Sequence, residues 1–129
     1  MNIVSGTATG SVLALDEPLS LWGGVSLNTG EIIEPGHPQF GEHIGGVILG
    51  LPHGRGSSSA SSVLAELLRN GSGPLGIILE EPDSILMVGA LVAQLLYGVE
   101  CPIVLGKIPP TGTRVTLIDG NIIVLESSF

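Results

Sequence analysis

The chain has 129 residues, enough for one domain with a real core and short for two. Twelve Asp and Glu against four Lys and Arg give a net charge of −8, which excludes a general nucleic-acid binder. Only 12% of residues are charged and 43% are hydrophobic; since an ordinary soluble domain has about a quarter charged residues, part of this surface is expected to lie against another chain. Twenty Gly and nine Pro argue for many turns, while the hydrophobic content argues against disorder. A single cysteine, Cys101, excludes an internal disulfide and cannot by itself hold a zinc ion or an iron–sulfur cluster. Met1 to Gly6 lack a basic region followed by an apolar run, so no secretory signal is expected. Ile85 to Tyr97, the longest apolar stretch, is shorter than the roughly 20 residues that span a bilayer and contains Gln94. The expectation is a cytoplasmic chain with no membrane contact.

Thr7 to Leu15 alternate small or polar with apolar residues, the pattern of a half-buried strand, which Pro18 ends. Leu19 to Gln39 read as a long loop holding Trp22-Gly23-Gly24, the turn Asn28-Thr29-Gly30 and Pro35-Gly36-His37-Pro38, with Glu31-Ile32-Ile33 as a candidate short strand. Gly46 to Leu51 form a short apolar run between turn residues, a buried strand. After Pro52 and a Gly/Ser-rich stretch, Val63, Leu64, Leu67 and Leu68 share one helical face, opposite Glu66 and Arg69, and Asn70-Gly71 stop the helix. Leu75 to Leu79 is a second buried strand. Glu80-Glu81-Pro82-Asp83 end it and supply a cap for a helix over Ser84 to Tyr97, apolar nearly all round and closed by Gly98. Cys101 to Leu105 is a third short strand. Arg114 to Ile118 and Ile122 to Leu125 form a hairpin across Asp119-Gly120-Asn121. The middle is thus a parallel βαβαβ unit with antiparallel strands at both ends: one α/β domain over residues 1–129, with no internal repeat.

In an open α/β sheet, ligands sit where a strand ends and the next helix begins. His53-Gly54-Arg55-Gly56-Ser57-Ser58-Ser59-Ala60-Ser61-Ser62 occupy that place after the first buried strand. Gly54 and Gly56 allow close backbone approach to a ligand, and the helix start offers unpaired N–H groups and a positive dipole end to an anion. A serine there either donates hydrogen bonds to an anion or, in a dry and strongly positive setting, acts as a base. Equally, one serine can cap the helix while the others are small surface residues. The segment is neither a phosphate loop, since no Lys follows the glycines, nor a GxSxG elbow.

Other residues carry less. His37, His43 and His53 are spread along loops without metal-ligand spacing; His53 is read either as facing the serine segment or as a solvated loop residue. Glu80, Glu81 and Asp83 are explained by a capped helix start. Trp22, the sole tryptophan, is either an interface anchor or a core plug. Cys101, before Pro102, reads as a buried strand residue.

Three blocks, Asp16-Glu17-Pro18-Leu19-Ser20-Leu21-Trp22-Gly23-Gly24-Val25, Gly54-Arg55-Gly56-Ser57-Ser58-Ser59 and Ile78-Leu79-Glu80-Glu81-Pro82-Asp83, together resemble the small subunit of the aconitase X family, over nearly the whole chain and in order. The resemblance implies an aconitase-type swivelling β/β/α domain and a hydro-lyase that is active only as a heterodimer with a large catalytic subunit. It implies dehydration of mevalonate 5-phosphate to trans-anhydromevalonate 5-phosphate in the archaeal mevalonate pathway, with bacterial relatives acting on cis-3-hydroxy-L-proline. It makes Ser57 the catalytic base and Gly54, Arg55, Gly56, Ser58 and Ser59 the substrate-binding residues around it. Aconitase itself has an arginine where this chain has Ser59, which disfavours a citrate-like tricarboxylate and fits a different small anionic substrate; Arg55 is the candidate replacement charge. No metal site is implied in this chain; the 4Fe-4S cluster is expected on cysteines of the large subunit, where its Lewis acidity would act on the leaving hydroxyl. The alternatives are the small subunit of a cis-3-hydroxy-L-proline or other hydroxy-acid dehydratase, and a non-catalytic anion-binding swivelling module. A phosphate-carrier domain would want a histidine at the helix start, and His53 stands too early.

Overall fold

The structure, a computed structural model, describes residues 2–53 and 59–126. In chain order it has β1 (Asn2–Val4), β2 (Ala8–Ala14), a four-residue helical turn α1 (Leu21–Gly24), β3 (Ile48–Leu51), α2 (Ser59–Asn70), β4 (Gly76–Leu79), α3 (Ser84–Tyr97), β5 (Ile103–Leu105), β6 (Arg114–Ile118) and β7 (Asn121–Glu126). The strands form one seven-stranded sheet in the order β1-β5-β4-β3-β2-β6-β7. β2, β3, β4 and β5 are parallel. β1 runs antiparallel to β5 at one edge, and the β6–β7 hairpin runs antiparallel from β2 at the other. This is the expected βαβαβ unit with antiparallel flanks, with one difference. The strand read at Thr7 to Leu15 extends the parallel set as β2 and is antiparallel only to β6, while the antiparallel strand at the other edge is β1, which the sequence pattern does not mark.

β3 and β4 are buried on both faces, which is why both are unbroken apolar runs. Their side chains divide by strand alternation. Leu49, Leu51, Ile77 and Leu79 join Leu13, Ile103 and the inner sides of α2 and α3 in the larger core. Ile48 and Ile78 join Val12, Val104, Val115 and Leu117 in a second core. Because Val115 and Leu117 belong to the hairpin, the β6–β7 end of the sheet folds back over the face away from the helices. The layers are therefore hairpin, parallel sheet, helices. Two glycines permit close cover on this face: a Cβ on Gly50 would stand 2.4 Å from Cγ2 of Ile108, in the β5–β6 connection, and one on Gly76 2.8 Å from Cδ1 of Leu117, in the hairpin.

Both helices end as their sequence chemistry requires. Asp83 Oδ1 accepts from the Leu86 N–H at 3.0 Å, and Gly98 closes α3 at φ +68°. Val63, Leu64, Leu67 and Leu68 of α2 are buried as expected, and Arg69 Nε donates to both Glu66 carboxylate oxygens at 2.9 Å on the outer face. α3 is apolar nearly all round, yet it buries only Leu86, Gly89, Ala90 and Ala93 in full. A small residue at Gly89 brings the helices together, since a Cβ there would lie 2.7 Å from Ser61 O. The hairpin loop is one residue tighter than expected: Asn121 already pairs with Ile118, and Asp119 and Gly120 make the turn at φ +52° and +76°.

The long irregular segment before β3 is more ordered than its composition suggests. The candidate strand Glu31-Ile32-Ile33 is reduced to isolated bridges, Val25 with Ile32 and Glu31 with His43. The segment sinks Leu19, Leu21, Val25, Ile32 and Ile44 into the larger core. Gly30, at φ +75°, lets its backbone pass so close to the α2–β4 connection that a Cβ would fall 2.4 Å from Ser72 O; Gly36, at φ +79°, faces open space. Gly36→Ala is therefore expected to lose only the left-handed penalty, about 1–2 kcal/mol. Gly30→Ala must also move backbone and is expected to lose about 3 kcal/mol or more in urea unfolding. Equal losses would contradict the close approach.

Candidate functional site at the exits of the parallel strands

The carboxyl ends of the parallel strands open on one edge of the sheet. Backbone bonds hold that edge together: Leu15 N–H to Gly50 O at 2.9 Å, Glu80 N–H to Leu51 O at 3.4 Å, Glu81 N–H to Pro52 O at 3.2 Å and Gly106 N–H to Leu79 O at 2.9 Å. The exit of β3 is thus flanked by the exit of β2 on one side and that of β4 on the other. α2 begins after this exit, with no acidic residue in its first turn to offset its amide groups and dipole.

Of the residues singled out in the sequence, Gly54, Arg55, Gly56, Ser57 and Ser58 lie outside the described residues. Ser59 is described: it is the first residue of α2 and is exposed, so it belongs to the helix and not to the loop before it. His53, just past β3, is also exposed. Glu80 and Glu81 sit exposed at the neighbouring exit and use their amides to bind the β3 end, and Asp83 caps α3. The structural explanation for this acidic group is thereby met for Asp83.

Two residues differ in setting from a plain loop reading. His37 lies in the loop but is 5% exposed. Its Nδ1 accepts from the Gln39 N–H at 3.0 Å, which leaves Nε2 to donate to Glu17 O at 3.2 Å. Gln39 in turn donates from Nε2 to Asp16 Oδ2 at 2.8 Å, and its Oε1 accepts from the Asp16 N–H at 3.2 Å. These bonds tie the chain just beyond β2 to the Pro35–Gln39 turn and so brace one wall of the β3 exit. Trp22 is 63% exposed, which removes the core-plug alternative. It lines an open groove of about 340 Å³ with Leu27, Ser59, Ser62, Val63 and Glu66, running along the outer side of α2 from its first residue. The serine-rich helix pattern contained half of this groove, but nothing in the sequence placed the Trp22 loop beside it.

Cys101 is 1% exposed, and burial pushes its thiol up to about 12. Such a group is a packing residue and not a thiolate ligand. Among the described residues no group of three or more His, Cys, Asp or Glu could hold a metal ion. The donor set of the described residues does not fit an iron–sulfur cluster. Likewise, among them no helix is long and apolar enough to cross a membrane.

Comparison with known proteins fits this architecture. The family model described as the aconitase X swivel domain matches residues 1–127. The chain is 46% identical over 101 residues to a cis-3-hydroxy-L-proline dehydratase from Pseudomonas aeruginosa, covering 78% of this chain but only 17% of that protein's length. It is 45% identical over 91 residues to a phosphomevalonate dehydratase small subunit from Pyrococcus furiosus, covering 70% of this chain and 68% of the relative. The structure is similar to that of holo-form aconitase X from Thermococcus kodakaraensis, with a TM-score of 0.86, 34% identity and coverage of 97% of this chain and 95% of that one.

The buried thiol gives a direct check on the core. With its pKa raised from 9.0 to about 12, Cys101 carries about a thousandfold less thiolate than a free thiol near neutrality. A thiol reagent at pH 8 is expected to leave the folded chain unmodified over hours and to label one thiol per chain in denaturant. Rapid labelling of the folded chain would contradict its burial.

Proposed function

The chain belongs to the aconitase X swivel domain family, and from that premise we propose that it is the small subunit of a two-chain hydro-lyase that dehydrates mevalonate 5-phosphate to trans-anhydromevalonate 5-phosphate. In this reading Ser57 is the proton acceptor, Gly54, Arg55, Gly56, Ser58 and Ser59 bind the anionic substrate, and any iron–sulfur cluster is a group of the large subunit. The observation that carries it is the β3 exit: the segment Gly54–Ser58 joins this braced strand end to the acid-free first turn of α2.

The chemistry asks little of this chain beyond that segment. A C–H proton of the substrate passes to Ser57 Oγ, the electrons left behind form the C=C bond, and hydroxide departs from the adjacent carbon. The proton and hydroxide together make the water released. An unperturbed serine hydroxyl is far too weak a base for this step, so its alkoxide must be stabilised by neighbouring amides, by Arg55 and by the positive end of α2. Those same features attract a carboxylate or a phosphate. Docking of a small domain against a larger one would also exclude water from the site.

The mevalonate 5-phosphate reading leads because the Pyrococcus relative bearing that activity in its name corresponds over two thirds of its own length. A second reading, dehydration of cis-3-hydroxy-L-proline, is supported by the Pseudomonas relative. Assay of the assembled two-chain enzyme with both acids separates them. In either case Ser57→Ala is expected to lower kcat by about 100-fold or more, the scale of a lost general base, with assembly unchanged. Near-wild-type turnover by the assembled variant would remove Ser57 from the reaction.

A further inference from the structure

The groove between Trp22 and α2 has no part in the proton transfer just described. Its walls are nonetheless held by buried residues and hydrogen bonds. Leu19, Leu21 and Val25 are buried on either side of Trp22, and Gly23, at φ +82°, turns the chain between them. Ser20 Oγ donates to Trp22 O at 3.1 Å. The far wall is fixed as well: Asn70 Nδ2 donates to Leu27 O at 2.7 Å and Ser72 Oγ to Asn28 O at 3.1 Å, locking the Leu27–Asn28 turn to the end of α2. The only tryptophan of the chain is thus held out toward solvent by a buried frame, over a groove floored by Val63.

The groove starts at Ser59, in the first turn of α2, the end of the helix that the proposed function turns toward the large subunit. Beyond Ser59, which the proposed function gives to the substrate, its chemistry does not suit an anion. Trp22, Leu27 and Val63 are apolar, and the Glu66 carboxylate on the wall is already paired with Arg69, which leaves the groove no free cation among the described residues. In the Pseudomonas relative the shared segment is 17% of the protein, and the Pyrococcus relative is named a small subunit, so in both a much larger part accompanies this domain on the proposed reading. We propose that the Trp22–α2 groove is a docking site for an apolar segment of the large subunit, with Trp22 as its anchor. The inference rests on the two-chain reading of the enzyme.

A buried aromatic anchor carries a large share of interface energy. The test uses this chain and the large chain that matches the remainder of the Pseudomonas dehydratase, with Kd measured by calorimetric titration. Trp22→Ala is expected to raise Kd about 30-fold, the scale of an interface hot spot. Because Trp22 is exposed, its loss should leave the thermal unfolding of the isolated chain unchanged. Ser62→Trp, on the opposite wall, fills the groove while leaving Trp22 in the sequence and is expected to weaken binding by at least tenfold. An unchanged Kd for either variant overturns the proposal. Because Kd needs no turnover, it is read independently of whether the pair dehydrates either acid.

Discussion

Two-sided burial of β3 and β4 is the constraint on which the rest of this domain depends. A strand covered on both faces must be apolar at every position, and its neighbours must supply two separate surfaces to cover it. Here α2 and α3 supply one, and the folded-back β6–β7 hairpin together with Ile108 of the β5–β6 connection the other, with Gly50 and Gly76 thinning the sheet where this second cover comes closest. The parallel order then brings the exits of β2, β3, β4 and β5 to one edge, and the β3 exit becomes the place where chain leaves the sheet and enters a helix. The site is a by-product of the layering. A change that loosened the β3–β4 pair would disturb the core and the serine segment together.

Elements defined by local chemistry were legible in the sequence. α3 runs from Ser84 to Tyr97 as read, because Asp83 and Gly98 are cap residues that act on their immediate neighbours. The hairpin follows from its turn residues and the three buried strands from short unbroken apolar runs between turn residues, in the same way. What could not be read depends on contacts distant in sequence. The order of the Leu19–Gln39 region comes from Gly30 passing against Ser72 and from Asn70 holding Leu27. His37 is buried through bonds to Glu17 and Gln39 that no spacing rule foretells. β1 is only three residues long, too short to show a period. At the site, the position of the Gly/Ser segment on the fold was legible because it follows a strand and precedes a helix. The exposure of Trp22 beside α2 was not, since it comes from tertiary packing of two elements some forty residues apart, on the spacing of Trp22 and Ser62.

Charge sets the remaining problem. The chain carries −8, and Asp16, Glu17, Glu80 and Glu81 are exposed close to the strand exits, yet the proposed substrate is an anion. Attraction must therefore be local, from backbone amides, the start of α2 and Arg55, or come from the large subunit. This division suits a domain whose own surface is sparsely charged and whose outer apolar residues, Trp22 at the groove and Leu95 and Leu96 on α3, are uncovered in the isolated chain. On the proposed reading, a swivelling domain that provides a proton acceptor and little else would take the remainder of the site from another chain.

The most direct measurement is reconstitution. This chain and the large chain would be prepared separately and assayed alone and mixed, following water loss from mevalonate 5-phosphate and from cis-3-hydroxy-L-proline. The account predicts no dehydration by either chain alone and turnover of one of the two acids on mixing, saturating at one small chain per large chain. Dehydration by the large chain alone at the rate of the mixture would contradict it, because this domain would then contribute nothing to the reaction.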